Sequence, residues 1–256
     1  MRVRALMAET STWDFDWTPP GFRSIDRPDV RAWCYHGGWA GSRGVGRVRW
    51  TDGEIERGLD EIRRFFAECG LPVRWYVGPS TTSARLADEL RTRASAVHAP
   101  RLMTADLDAV KFRRNDAIEI RDVTTAAQVE EMIDAAFPEF GPAGRAAAIA
   151  ETAGYIAGHR RGGIHLAYLG EELVGFANWR DASDDACVQL VGAWTKPSQR
   201  GQGVYSTLTT FRCDRARERG RRYAAIVADP TTSGPIVAKA GFTDHGPLWI
   251  FVDVRL

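Results

Sequence analysis

The chain is 256 residues long, enough for one large domain or two small ones with a sizeable core. Its hydrophobic fraction of 44% and charged fraction of 26% are ordinary for a soluble globular protein. A net charge of +1 argues against a dedicated nucleic-acid binder, and no apolar run approaches the length of a membrane span, so neither partner is expected.

Arginine outnumbers lysine throughout the chain, which lowers the weight of any local arginine cluster. Cys34, Cys69, Cys187 and Cys213 are widely spaced and form no C-x-x-C pair. Four reduced thiols in a cytoplasmic protein are therefore expected, with no zinc site. The first nine residues contain no apolar stretch of the signal-peptide kind. His36, His98, His159, His165 and His245 show no metal-ligand spacing, so no metal is expected. His165 alternates with apolar neighbours, as a hydrogen-bonded core or pocket histidine does.

Roughly the first 40 residues carry Trp13, Trp17, Trp33 and Trp39 without a clear period, and this aromatic content argues against disorder. Residues 45–50 read as a strand. Asp52 is a candidate cap for a helix whose apolar positions Ile55, Leu59, Ile62, Phe65, Phe66 and Cys69 recur at helical spacing. Gly70, followed by Pro72, ends it. Residues 73–77 are strand-like, 78–80 a turn, 83–94 a second helix and 102–107 another strand. The polar run 111–116 reads as a linker, dividing the chain into 1–114 and 115–256. A strand at 118–121 opens the second unit, and Thr124 or Thr125 caps a helix running to Phe137. An alanine-rich helix follows Pro142. Residues 164–169 and 173–179 flank Gly170-Glu171-Glu172, a hairpin signature. Next come a strand at 187–194, a helix at 204–218, a strand at 223–228, a short helix at 232–240 and a closing strand at 248–254.

The most informative segment is Arg200-Gly201-Gln202-Gly203-Val204. It joins the apolar strand 187–194 to the helix 204–218. A strand, a glycine-rich turn and a helix N-terminus present outward backbone N–H groups and the positive end of the helix dipole. That combination suits a phosphorylated cofactor.

The order of elements from strand 118–121 to Gly241-Phe242, with the Arg200-x-x-Gly203 turn in place, resembles the GNAT superfamily, the acyl-CoA-dependent N-acyltransferases. The resemblance covers roughly residues 117–256. It is carried by 191–195, Pro197, Gln199 to Val204, and Ala238-Lys239-Ala240-Gly241-Phe242. The N-terminal half is similar to the degenerate first half of tandem-GNAT proteins. Its nearest glycine-rich candidate, residues 41–46, is followed by a strand-like run instead of a helix. The resemblance implies an α/β (α+β) fold with a mixed, mostly antiparallel central sheet flanked by helices. It implies two GNAT-like halves, a degenerate domain at 1–114 and an acyl-CoA-binding catalytic domain at 115–256.

It further implies that acetyl-CoA, or another acyl-CoA, is the cosubstrate. Backbone groups of Arg200, Gly201, Gln202, Gly203, Val204 and Tyr205 would hold the pyrophosphate. Ala193, Trp194 and Thr195 would lie along the pantetheine arm, with a backbone N–H of Trp194 or Thr195 polarising the thioester carbonyl. Ser233 either contacts the cofactor or caps the short helix.

Three positions depart from the family pattern. Tyr205 stands where Gly or Ala is usual, and either narrows the turn or packs away from it. Val237 stands where a tyrosine often serves as the acid, and valine has no proton to give. Gln189 replaces a carboxylate on the expected strand, which leaves Glu139, between the first two helices, as a weak candidate base weighed against a solvated loop carboxylate. Phe137 and Phe140 line the acceptor pocket or pack the core. Arg212, Arg215, Arg217, Arg219, Arg221 and Arg222 either attract the CoA 3′-phosphate or form a solvated face.

The leading expectation is acetyl transfer to a primary amine of a small molecule by direct attack. The alternatives are a non-catalytic acyl-CoA sensor and a protein N-terminal or lysine acetyltransferase.

Overall fold

A computed structural model describes all residues except 1, 15–17, 19–20, 36–41, 71, 184 and 256. Trp17, His36, Trp39 and part of the run 41–46 lie outside the described residues. The elements in chain order are α1 (Arg2–Thr10), β1 (Arg23–Arg27), β2 (Val30–Cys34), β3 (Arg43–Gly46), α2 (Ile55–Cys69), β4 (Val73–Val77), α3 (Ala84–Arg93), β5 (Ala96–His98) and β6 (Arg101–Asp106). Then follow β7 (Ile118–Asp122), α4 (Ala126–Ala136), α5 (Pro142–Ile156), β8 (Gly162–Leu169), β9 (Glu172–Asp181), β10 (Cys187–Thr195), α6 (Val204–Glu218), β11 (Tyr223–Ala228), α7 (Ser233–Lys239), β12 (Thr243–Pro247) and β13 (Trp249–Val254).

Local signals account for the helices. In α2 the stripe Ile55, Leu59, Ile62, Phe66 and Cys69 is buried, and Gly70 at φ 63° closes the helix through a bond to Phe66 O. Its N-terminal side is held by a capping box of Thr51 and Glu54, so Thr51, not Asp52, caps the preceding turn. Asp52 instead accepts from Ser83 Oγ at 2.6 Å, which ties α2 to the start of α3. A second capping box, Thr125 with Gln128, starts α4. Pro142 starts α5.

The strands form two mixed, mostly antiparallel sheets flanked by helices. One is six-stranded in the order β1-β2-β3-β4-β13-β5, the other seven-stranded in the order β12-β6-β11-β10-β9-β8-β7. The sheets do not separate at 114/115. β6, from the N-terminal side, lies in the C-terminal sheet between β12 and β11. β13, the last strand, lies in the N-terminal sheet between β4 and β5. The exchange is enforced by burial. Leu102, Met103, Thr104 and Ala105 of β6 are buried, and Phe251 of β13 joins Trp75 in the core of the other sheet. Helix α1 packs on β6 and β11, burying Ala5 and Ala8. From there Glu9 reaches Ser80, whose N–H and hydroxyl donate to its carboxylate at 2.7 and 2.8 Å.

The expectation of four reduced thiols also fails. Cys34, ending β2, and Cys69, ending α2, are joined by a disulfide with their Cα atoms 6.7 Å apart. The pairing arises because α2 folds back over β2, a juxtaposition that linear spacing does not reveal. Cys187 and Cys213 are buried and take no part in this disulfide. Among the described residues no helix is long and apolar enough to cross a membrane, and no group of side chains is arranged to hold a metal ion.

Candidate active-site cleft

Strands β10 and β11 run parallel and pair over only three positions, Cys187 with Tyr223, Val188 with Ala224 and Gln189 with Ala225. Beyond these, β10 stays with β9 as far as Thr195, while β11 stays with β6 as far as Ala228. The two strands therefore splay apart. A bulge between Val191 and Ala193, with Gly192 at φ 52°, helps turn β10 away. The gap is the inner part of a cleft of about 1060 Å³.

The glycine-rich turn stands at the cleft mouth. Gly201 and Gly203 have φ of 78° and 83°, left-handed values that a side chain would strain. Gly203 is the residue before the first turn of α6, and Thr207 N–H bonds its carbonyl at 2.9 Å. The N–H groups of Val204, Tyr205 and Ser206 thus have no intrahelical partner and face the mouth. Arg113, Arg114 and Arg200 also line it. Arg200 is exposed and, among the described residues, has no ion-pair partner. Backbone donors, a helix dipole and three guanidinium groups make this end of the cleft attractive to phosphate.

The segment before β7 braces this turn. Asn115 Nδ2 donates to Gln202 O at 2.8 Å, and Asn115 N–H donates to Thr207 Oγ1 at 2.9 Å. A Cβ on Gly203 would lie 3.4 Å from Asn115 Cβ. Residues 111–116, expected to be a linker, thus supply part of the site.

Residues 126–242 match the family model described as the acetyltransferase (GNAT) family. The C-terminal half of the chain carries a GNAT domain. No curated protein matches the chain. Among solved structures, it is similar to a GCN5-related N-acetyltransferase from Kribbella flavida, with TM-score 0.68 and 16% identity, covering 99% of this chain and 97% of that one. A GCN5-related N-acetyltransferase from Sphaerobacter thermophilus gives TM-score 0.62 at 12% identity, over 91% and 83% of the two chains. A tandem GNAT protein from the clavulanic acid biosynthesis pathway gives 0.61 at 13%, over 100% and 95%. At these identities the likeness is one of fold, and the two-sheet architecture here fits it along the whole chain.

In the GNAT domain, Ala193, Trp194 and Thr195 line the cleft on the β10 side. Residues 200–205 line it at the turn, and Ser233 on the α7 side. Trp194 also stacks on Phe176, with ring centroids 6.3 Å apart. Ser233 is not the helix cap, a position held by Thr232. Its Oγ accepts from Asp229 N–H at 3.0 Å. The Asp229 carboxylate accepts from Thr231 and Thr232, bonds that hold its pKa below the ordinary value.

Glu139 is exposed and does not line the cleft. Phe137 and Phe140 stack on one another at 4.9 Å, and Phe137 packs on Phe176, beside the α4–α5 core. Tyr205 turns inward against the core cluster containing Val237, yet it also lines the cleft.

The arginines of α6 and beyond divide. Arg217 bonds Asp214 and Leu107 O, while Arg219 and Arg221 clamp the buried Asp181. Arg215 faces Glu218 and Asp122. These pairs leave little charge free for a cofactor phosphate. Arg212 departs from both readings of the cluster, being 1% exposed.

On the opposite face of β10 lies a polar group in which sequence reasoning singles out Gln189 but none of its neighbours. Gln189, at the last paired position before the splay, accepts from Arg180 Nε at 2.6 Å and donates to Asp14 Oδ2 at 3.2 Å. Nearby, Tyr35 bonds Glu151 of α5, and both feel the charge of Arg160. Burial pushes the Glu151 pKa above the ordinary carboxylate value, against the opposing pull of Tyr35 and Arg160. Its Oε1 is buried without a hydrogen-bond partner. The available signal was that Glu151 is the sole acid of the alanine-rich helix α5.

His165 is buried as expected. Its Nδ1 lies 2.7 Å from Asp122 Oδ1, and its ring packs against Trp179 and Phe211.

Proposed function

We infer that the chain is an acyl-CoA-dependent N-acyltransferase whose simplest reaction moves acetyl from acetyl-CoA to a primary amine of a small molecule. The observation that carries this is the splay of β10 from β11 after Gln189, with the first turn of α6 at its mouth. A thin, extended pantetheine arm suits such a gap, and the CoA diphosphate suits the turn. Arg200 to Tyr205 are assigned to the diphosphate, and Ala193 to Thr195 and Ser233 to the arm.

In the reaction, the amine nitrogen attacks the thioester carbonyl carbon. The tetrahedral oxyanion forms beside the bulged stretch of β10, where a backbone N–H of Trp194 or Thr195 would stabilise it. The C–S bond then breaks, CoA leaves as thiolate, and the new ammonium loses a proton. Glu151, with its raised pKa and unpartnered oxygen, is a better candidate for that proton than the exposed Glu139. The GNAT domain is assigned the chemistry and the N-terminal half, through Tyr35, one wall of the acceptor side. A cytoplasmic setting is kept with this reading, although an oxidised Cys34–Cys69 pair in cells would count against it.

A second reading, a non-catalytic acyl-CoA sensor, draws on one observation: Val237 is fully buried and brings no proton donor to the cleft. Calorimetry with acetyl-CoA, paired with CoA release over a panel of amines and peptides, separates the two. Binding with turnover of a small amine supports the enzyme. Binding without turnover on any acceptor supports the sensor, and turnover of peptides alone would move the acceptor to protein. If neither acetyl-CoA nor CoA binds, the assignment of the cleft fails.

A further inference from the structure

Arg212 is the only charged residue among the largest fully buried side chains of the described residues. Its Nη1 donates to Asn178 O at 2.8 Å and its Nη2 to Thr209 Oγ1 at 3.0 Å. Its Nε is buried and has no partner. Among the described residues no carboxylate compensates it, and the groups facing it are Tyr205 and Cys213. A guanidinium does not shed its charge, so an uncompensated one in a protein interior is costly. The other arginines of this helix, Arg215 and Arg217, each have an acidic partner. Arg212 is the exception, and it lines the cleft.

Tyr205 meets it there. Arg212, Thr209 and Ser233 all lie within reach of its buried hydroxyl, but none of them closes a well-aligned hydrogen bond with it. Two unsatisfied donors, one of them cationic, therefore converge on one part of the cleft.

Their depth matters. A helix rises about 1.5 Å per residue, so the backbone of Arg212 lies about 10 Å below that of Tyr205 along α6. The carbonyl that Arg212 holds belongs to Asn178, which pairs with Val191 at the bulge of β10. This is the inner end of the cleft, well past the turn assigned to the diphosphate. It is also on the α6 face of the sheet. Val188 and Leu190 pack there with Cys213 and Ala216, while Gln189, between them in β10, points to the opposite face.

We propose that Arg212 and Tyr205 receive a carboxylate carried by the acyl group, so that the preferred donor is a short dicarboxylic acyl thioester, of malonyl or succinyl type, over acetyl. This rests on the acyl-CoA reading of the cleft. A carboxylate can accept from the guanidinium edge and the phenol together, satisfying both donors and neutralising the charge. A second phosphate of CoA does not fit the role, because CoA phosphates stay on the mouth side of the pantetheine arm.

Calorimetry with CoA, butyryl-CoA and succinyl-CoA tests this, because the last two share a chain length and differ in the terminal carboxylate. Propionyl-CoA and malonyl-CoA form a second matched pair. The expected result is that one of the two carboxylated thioesters binds about tenfold or more tighter than its neutral match. Tyr205→Phe, which keeps the packed ring, should cut that ratio about threefold, and Arg212→Met should bring it to about one. The Tyr205→Phe ratio remains informative if Arg212→Met fails to fold through loss of the Asn178 contact. If carboxylated and neutral thioesters bind alike, the proposal is overturned while the acyl-CoA reading stands. If neither CoA nor any thioester binds, both fall. If a preference for charge appears only among amine acceptors, with acetyl-CoA as donor, the carboxylate belongs to the acceptor and the proposal is overturned.

Discussion

Asn115 fastens the glycine-rich turn by donating its side-chain amide to Gln202 O at 2.8 Å. A turn with two left-handed glycines has few intrinsic restraints, and this bond fixes it in the shape that exposes the N–H groups of α6. Asn115→Ala should weaken CoA binding about threefold to tenfold and cost about 1 kcal/mol of stability. Asn115→Asp should weaken binding further, because it sets a carboxylate beside the diphosphate, and added salt should narrow the gap between the two variants. Calorimetry at two ionic strengths reads both effects. Unchanged affinity in Asn115→Ala would remove this residue from the site.

Glu9 sets a pH dependence of stability. Burial raises its carboxyl from 4.5 to about 7, against the bonds from Ser80. A raised carboxyl pKa means the folded state holds its proton more tightly than the unfolded chain does. The stability from this group is full below about pH 4.5 and is lost as pH rises through about 7, a swing of about 3 kcal/mol at most. Denaturant melts between pH 5 and 8 should show it, and Glu9→Gln should flatten that slope. A slope unchanged in Glu9→Gln would place the titration elsewhere.

Much of the fold was legible because local signals and burial agree. The strands 73–77, 187–194 and 223–228 are apolar runs of the right length, α2 and α4 have both a period and a cap or a glycine, and α6 is announced by the glycine-rich turn before it. What was not legible is long-range pairing. Nothing in residues 101–106 or 249–254 indicates that each joins the sheet built mainly by the other half, since strand periodicity carries no partner label. The turn at 200–203 was readable because glycine spacing is local. Asn115, Glu151 and Arg212 act through contacts made across the fold, so a polar run, one acid in an alanine-rich helix and one arginine among many carried no sign of their partners.

The Cys34–Cys69 bond closes a separation of 35 residues between β2 and α2. Chain-entropy bookkeeping gives such a loop about 4 kcal/mol at 25 °C, less whatever structure the reduced chain keeps. Thiol titration of the denatured, unreduced protein should find Cys187 and Cys213 alone reactive. Reductant should lower the denaturation midpoint, and Cys34→Ser should reproduce that loss without reductant. Four titratable thiols in protein isolated under oxidising conditions would refute the bond.

Glu151 offers a kinetic signature on the enzyme reading. Its raised pKa places its ionisation above the ordinary carboxylate value, so kcat/KM should rise with pH through that ionisation as the base form appears. Glu151→Gln should remove that limb and lower kcat/KM about a hundredfold, while CoA affinity, read separately, stays near the parent value. If the acidic limb persists in Glu151→Gln, the proton leaves by another route and Glu151 serves only to position Tyr35.

The exchanged strands make a sharper demand on folding than two adjacent domains would. β13 pairs with β4 through Trp249–Val77, Ile250–Tyr76 and Phe251–Trp75, and with β5 on its other edge. β6 fills the matching place between β11 and β12. A fragment of residues 1–114 therefore keeps β6 with no sheet to join and leaves β4 and β5 unbridged. A fragment of 115–256 leaves β11 and β12 unbridged and exposes Phe251 on a strand with no neighbours. Neither fragment should give a cooperative thermal transition alone, whereas co-expression of the two should restore one, because the missing strands are supplied in trans. A chain ending at residue 247 should likewise lose the N-terminal sheet first, seen as early amide exchange in β4 while β8 and β9 stay protected. A stable, CoA-binding 115–256 fragment would show that β6 is dispensable and that the halves fold separately despite the exchange.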